Sequence, residues 1–407
     1  MVIYMILFIV ALFSSLLETI NPVLGYINEI IVIGFAMVAL VKLFFLEKAE
    51  KKAMDGWILL SLVLCSAFFL VAFMPNLFNE PHNTMAMQLY TFFGMTKFLI
   101  LFYSGRILVK GLDFRASIPW MKRLAWLFSI ICLLVYVLNI AVPLMQPFDI
   151  RFGMPTYAYG FGHPAPFSMI VIIFTVLMVF FSLLQKTRLP YLYLLLNLGL
   201  IFTAGRSTAI GIYLCLFLLL LFFPYIKRIP NYMYLLLGSF LAWFSWDRII
   251  NQFGAENTEA RGVLLRTSVE IAKDHAPFGA GLGMFGSHAS RLHYSPLYFD
   301  YQLSRVWGLS SINPSFITDS YWAMIIGETG ILGSIFLIAL FIVTLIAIIR
   351  STSGNFKMKL IVAFPFIYAL CTSPVDTLLV SGSIISIILA VLYMIALSHT
   401  KPSEKRT

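Results

Sequence analysis

The chain has 407 residues, of which 60% are hydrophobic and only 11% charged, with a formal net charge of +10. Soluble domains carry about 25% charged residues, so this composition excludes an ordinary soluble protein and leaves a polytopic membrane protein. The basic excess follows a topological pattern, described below, and gives no ground for a nucleic-acid partner.

A hydrocarbon core about 30 Å thick needs roughly 20 apolar residues of helix. Such runs are expected near 2–20, 28–46, 56–73, 88–108, 124–145 and 164–184. Further runs follow near 189–204, 207–224, 232–246, 319–348, 357–373 and 378–397. The expected fold class is all-α, with about twelve transmembrane helices in one domain over residues 1–407 and one long external loop containing short helices. The first run has no small-residue cleavage site and another run follows at once, so it reads as a retained helix and not a signal peptide.

Basic residues follow every even-numbered run. They are Lys42, Lys48, Lys51 and Lys52, then Arg106, Lys110, Arg115, Lys122 and Arg123. Lys186 and Arg188, Lys227 and Arg228, Arg350, Lys357 and Lys359 continue the series, and Lys401, Lys405 and Arg406 end it. The positive-inside rule then puts both termini in the cytoplasm. Nine of the 28 Lys and Arg break the pattern: Lys97, Arg151, Arg206, Arg248, Arg261, Arg266, Lys273, Arg291 and Arg305. All but Lys97, inside the fourth run, fall on the outer side or at its membrane edge. Seven of the nine are arginine, whose planar fork suits two-point binding of phosphate or carboxylate. This sidedness points to an anionic ligand at the outer face. The competing reading pairs the loop arginines with Glu256, Glu259, Glu270 and Asp274. Cys65, Cys132, Cys215 and Cys371 have no metal spacing and read as small buried hydrophobes, so no metal or other cofactor is expected.

Two outward segments carry content, residues 146–163 and 247–318. His163 ends the first, immediately before Pro164. Arg206 lies between the seventh and eighth runs, at the outer interface, where Gly205 permits a tight reversal. Within the long segment a helix is expected from Thr258 to Asp274, with Asn257 as N-cap. Arg261 and Arg266, five residues apart, would splay by about 140° on it. The stretch "GAGLGMFG" formally matches a dinucleotide fingerprint at Gly281, Gly283 and Gly286, but it follows a helix and not a strand. Gly279, Gly281 and Gly283 instead allow close backbone approach, either to a ligand or to a neighbouring helix. In "TDSYWAMIIGETGILG", Asp319 is placed to cap the tenth run. Glu328 lies about 13 Å deeper, where an ionisable group is a functional candidate. A nine-residue offset turns these two carboxylates to opposite sides of a straight helix, unless Gly327 and Gly330 break it.

Four stretches resemble the bacterial O-antigen polymerase and ligase superfamily, the Wzy-type polymerases in particular. They are "RFGMPTYAYGFGHPAPFSM", "TAGRSTAIGIYL", "ARGVLLRTSVEIAKDHAPFGAGLGMF" and "DSYWAMIIGETGILG". The resemblance implies a membrane glycosyltransferase that moves a growing glycan from undecaprenyl pyrophosphate to the next lipid-linked repeat unit. The setting it implies is the outer face of the bacterial cytoplasmic membrane. Implied partners are the undecaprenyl-pyrophosphate-linked oligosaccharide and the lipid bilayer, with a chain-length regulator and a flippase alongside. On this reading Arg206, Arg261 and Arg266 hold pyrophosphate, and Arg151 holds glycan or phosphate. Gly279, Gly281, Gly283 and Tyr321 join the substrate-binding set. Asp319, His163 and Glu328 are the catalytic candidates, with Asp319 or His163 as base and no metal. The superfamily's ligases commonly carry a His where this chain has Asp319, which favours the polymerase over a ligase. A twelve-helix transporter or flippase is the more distant alternative. The link after the sixth run is only about five residues, and the halves show no repeat.

Overall fold

The computed structural model describes residues 1–45, 56–78, 82–151, 153–222 and 259–400. The expected run at 232–246, the N-cap Asn257, Thr258, Glu256 and Arg248 lie outside these residues. So do Lys48, Lys51, Lys52, Lys227, Arg228, Lys401, Lys405 and Arg406.

The described chain is a helical bundle. The first expected run is not one helix. It splits into α1 (Val2–Leu12) and α2 (Ser14–Ile20), bent by 60° at Phe13. Phe13 packs against Phe128 and Phe161, and α2 is the more polar half, with Ser14, Ser15, Glu18 and Thr19. Beyond α2 come α3 (Ile27–Phe45), α4 (Gly56–Phe78), α5 (Met85–Val109) and α6 (Ile118–Ala141). A two-stranded hairpin follows, β1 (Asp149–Arg151) against β2 (Met154–Thr156), a small addition to an otherwise helical fold.

Then come α7 (Pro164–Leu184), α8 (Tyr191–Ala204) and α9 (Ser207–Phe222). The long outward segment, as far as it is described, supplies α10 (Ala260–Asp274), α11 (His288–Leu292) and α12 (Leu297–Asp300). The chain returns through α13 (Tyr321–Ser351), α14 (Phe356–Thr372) and α15 (Ser383–Ser398).

Six described helices are long and apolar enough to cross a membrane, and the bent α1–α2 pair would make a seventh. α8, α9 and α15 are apolar but only 14, 16 and 16 residues long. At 1.5 Å per residue they reach about 21–24 Å, short of a full hydrocarbon core.

Burial sorts the helices into layers. In α7, 89% of the most apolar window is buried within the protein, against 22% in α4. A helix that is apolar all round can sit at the centre of a bundle, and α7 does so. α15 joins it there, packed on α1, α5, α7 and α14. α4 and α6 present exposed Leu, Ile and Val, as lipid-facing helices do.

The two ends of the bundle differ. At one end Lys42 Nζ donates to the Ile107 carbonyl at 2.9 Å, and the Arg350 guanidinium lies 4.7 Å from the Trp57 ring centroid. At the other end residues 259–320 form a cap with its own small core, including Leu264, Phe285, Tyr298 and Leu309. The cap is joined to α13 by backbone hydrogen bonds. Ala280 N donates to the Gly327 carbonyl and Gly281 N to the Glu328 carbonyl, both at 2.9 Å. This approach needs glycine on both sides. Gly330 interrupts α13 at φ +64°, and a Cβ on Gly279 would lie 2.4 Å from Gly330 N.

Candidate functional site

The capped end of the bundle gathers charged residues from distant parts of the sequence. α8 ends at Gly205, whose φ of +65° supplies the left-handed turn that glycine alone takes without strain. The β1–β2 hairpin sits on that turn. Tyr157 N donates to the Thr203 carbonyl at 3.0 Å, and a Cβ on Gly205 would collide with the Thr156 side chain. The next residue, Arg206, is thereby held with its side chain 14% exposed, and its Nη2 pairs with Asp376 Oδ2. Arg151 comes in on the hairpin itself, its Nε 2.9 Å from Asp149 Oδ2.

His163 stands at the N-terminus of α7 as its cap. Its Nδ1 accepts from Ala165 N at 3.1 Å. Burial pushes its pKa down to about 4, and the positive charges of Arg206, Arg151 and Arg261 push the same way against Asp376. Three arginines from separate segments therefore act electrically on one imidazole. His163 is neutral at pH 7 and, with Nδ1 occupied as an acceptor, carries its proton on Nε2. It can donate a hydrogen bond to a ligand. Its remaining lone pair, on Nδ1, is engaged by the Ala165 amide.

Beside His163 opens a cavity of about 830 Å³, walled by α2, α3, α5, the start of α7 and the 376–383 segment. A second lobe of about 410 Å³ continues toward the cap and the start of α13. Glu18, Glu29, Tyr90, Lys97 and His288 line both lobes. Lys97 is 3% exposed and its Nζ lies 3.0 Å from Glu29 Oε1. A cation at that depth in an apolar helix is costly alone, and the carboxylate across on α3 offsets the cost. Asp376 also lines the larger lobe, with Arg206 behind it.

The other expected residues divide. Tyr321 lines the second lobe. Arg261 lies near His163, its Nη2 bonded to Asp319 Oδ2 at 3.1 Å and its Nε buried without a partner. Asp319 thus does not cap α13. Ser320 occupies that position, and it makes no side-chain capping bond. Arg266 lies further along α10 and lines neither lobe.

Glu328 is fully buried and accepts from Phe285 N at 3.0 Å, so it holds the glycine loop and does not face the cavity. Gly279, Gly281 and Gly283 likewise pack against protein. Added Cβ atoms would lie 2.7 Å from Asn76 Oδ1 at Gly281 and 3.0 Å from Asn83 Nδ2 at Gly283. Asn76 clamps the loop, donating to the Leu282 carbonyl at 3.1 Å and accepting from Leu282 N at 2.7 Å. Close approach to neighbouring protein is the packing that these glycines make.

The residues that sequence reading left out of the site are Glu18, Glu29, Lys97, Tyr90, His288 and Asp376. Three of them carried a usable signal, because Glu18, Glu29 and Lys97 lie in or at the edge of apolar runs, where ionisable side chains are rare. Their convergence did not show, since Lys97 and Glu29 are 68 positions apart. No protein-family model matches the sequence, and no curated protein matches it either.

Proposed function

We propose that this chain is a polysaccharide polymerase of the bacterial cytoplasmic membrane. It transfers a growing glycan from undecaprenyl pyrophosphate to the next lipid-linked repeat unit. The observation that carries the reading is Arg206, paired with Asp376 on the wall of a large cavity that His163 also lines, with Arg151 beside the Gly205 turn. A pyrophosphate is a dianion or more, and it develops further charge as it leaves the anomeric carbon. Fixed guanidinium groups in a partly dehydrated setting stabilise that charge without reorganising. His163 Nε2–H adds a neutral donor at the same place. Asp376 balances Arg206 while no anion is bound, and a phosphate would compete for the same N–H groups.

Topology follows from the same reading. The lysine-rich end faces the cytoplasm with both termini and the capped end faces outward; the shorter helices α8, α9, α14 and α15, with the run expected at 232–246, complete about twelve membrane passes. A lipid-linked donor would then place its pyrophosphate at the level of Arg206, the outer interface, with its sugars under the cap.

The test is removal of the protein from its cell, followed by inspection of the surface glycan. Single repeat units on the final acceptor are the expected result. Polymer left on the lipid carrier would move the assignment to a ligase, and unchanged glycan would overturn both.

A further inference from the structure

Arg206 does not line the cavity, and Asp376 does. The carboxylate stands on the wall of the larger lobe with the guanidinium behind it. That wall is unfavourable for an anion as it stands. Glu18, Glu29 and Asp376 are on it, and among the described residues Lys97 is its only lysine or arginine. The Lys97 Nζ is already 3.0 Å from Glu29 Oε1. A pyrophosphate entering with Asp376 in place would meet net repulsion, whereas uncovering Arg206 would give it a cation.

The contact between Arg206 and Asp376 can come apart. It is one hydrogen bond, Nη2 to Oδ2, where arginine and carboxylate frequently meet through two parallel bonds. Among the described residues no other hydrogen bond or ion pair engages Asp376 Oδ1 or the remaining Arg206 N–H groups. The two side chains are 14% and 19% exposed, so neither is sealed from water. Each segment also has anchors of its own. Gly205 takes the left-handed turn against the β1–β2 hairpin, and Trp322 Nε1 donates to Ser373 Oγ at 3.0 Å, three residues before Asp376. Gly382, at the far end of the Asp376 segment, packs too closely on Asn28 to carry a Cβ. Turning the Asp376 side chain alone therefore breaks the contact and leaves both backbones in place.

Resting on the polymerase reading, we infer that Asp376 is a gate on the phosphate site, covering Arg206 in the empty protein and turning away when the lipid-linked pyrophosphate enters. It is a positioning residue and takes no part in bond making. Its charge acts at both ends of a turnover. The arriving anion binds only those molecules in which Arg206 is uncovered, and its apparent affinity falls by that fraction. Once bound, the pyrophosphate has a displaced carboxylate beside it, and the return of Asp376 to Arg206 drives the product out.

The test is calorimetric titration of inorganic pyrophosphate into purified full-length protein in detergent at pH 7, with melting curves to show that each variant is folded. Asp376→Asn keeps the shape and removes the charge. It should bind pyrophosphate about tenfold more tightly than wild type, a coupling of ordinary size. Arg206→Gln should abolish binding with either residue at 376. A carboxylate that only holds Arg206 in position predicts the opposite sign. Weaker or unchanged affinity in Asp376→Asn, or binding that survives Arg206→Gln, overturns the gate and leaves the polymerase reading standing. Asp376→Ser gives the same comparison if the Asn variant does not fold, and failure of both to fold makes the pair a structural tie and overturns the gate too. Absence of pyrophosphate binding in wild type and Asp376→Asn alike removes the phosphate site itself, and the polymerase reading with it.

Discussion

Two ion pairs border the cavity, and they are built on opposite principles. Lys97–Glu29 joins two continuous helices, α5 and α3, and its lysine is almost fully enclosed. Arg206–Asp376 joins two interhelical segments, the Gly205 turn and the stretch before α15, and both its side chains are partly exposed. Helix–helix pairs hold geometry, because moving either partner means moving a membrane helix. A turn-to-turn pair can exchange partners at small cost. The first suits a fixed contact, and the second can trade its carboxylate for another anion.

The largest effect should come from breaking the enclosed pair on one side only. Lys97→Met leaves Glu29, 18% exposed on the cavity wall, without its cation, at a cost below the figure of about 3–5 kcal/mol for a fully buried pair. Thermal unfolding in mild detergent should show the loss, and adding Glu29→Gln should restore most of it. If the double variant is no better than the single, the pair is not acting as a unit.

The turn-borne pair is expected to fail differently. Arg206→Lys keeps the charge but loses the planar fork, so most polymer should disappear while the protein inserts in normal amounts. Chain lengths like wild type, read on a glycan gel, would reduce Arg206 to an interface anchor.

A smaller, pH-dependent effect belongs to His163. Its pKa is about 4 in the fold and near 6.5 when unfolded, so the unfolded chain binds more protons between those values. Stability should be level above pH 6.5 and fall as the pH drops from there toward 4. In His163→Asn, which keeps a capping side chain, that extra fall should vanish from the pH series of melting temperatures. The smallest effect is expected at Arg261–Asp319, a partly exposed pair. Asp319→Ala should cost under about 1 kcal/mol in the same assay.

The apolar runs made most helices legible, because lipid demands their length and composition whatever they pack against. The break at Phe13 was not legible. Its cause is tertiary, with Phe128 and Phe161 gripping the bend across more than a hundred residues. Nor was the hairpin, whose strands are three residues each, too short to show an alternation. In the site, Arg206 stood out as a cation at a run edge, and its partner Asp376 lines the cavity. The glycine loop misled in part because close packing on Asn76 or on a substrate leaves the same residues in the sequence. Glu328 shows the same ambiguity. A deep carboxylate reads as functional until the Phe285 amide that it satisfies is seen.

The seam between cap and bundle bears on how anything reaches the cavity. Ala280 and Gly281 pair with α13 much as one strand pairs with another, and Asn76 grips the same loop from α4. A cover stitched to two membrane helices is a fixed roof. Any opening then lies in the walls, where the bent half-helix α2 is held by Asn28 Nδ2 donating to Ser14 Oγ at 2.8 Å and by Thr19 Oγ1 donating to the Gly160 carbonyl at 3.3 Å. On the proposed function, a lipid-borne substrate would enter from the bilayer past that bent half-helix, whose Glu18 lines the cavity.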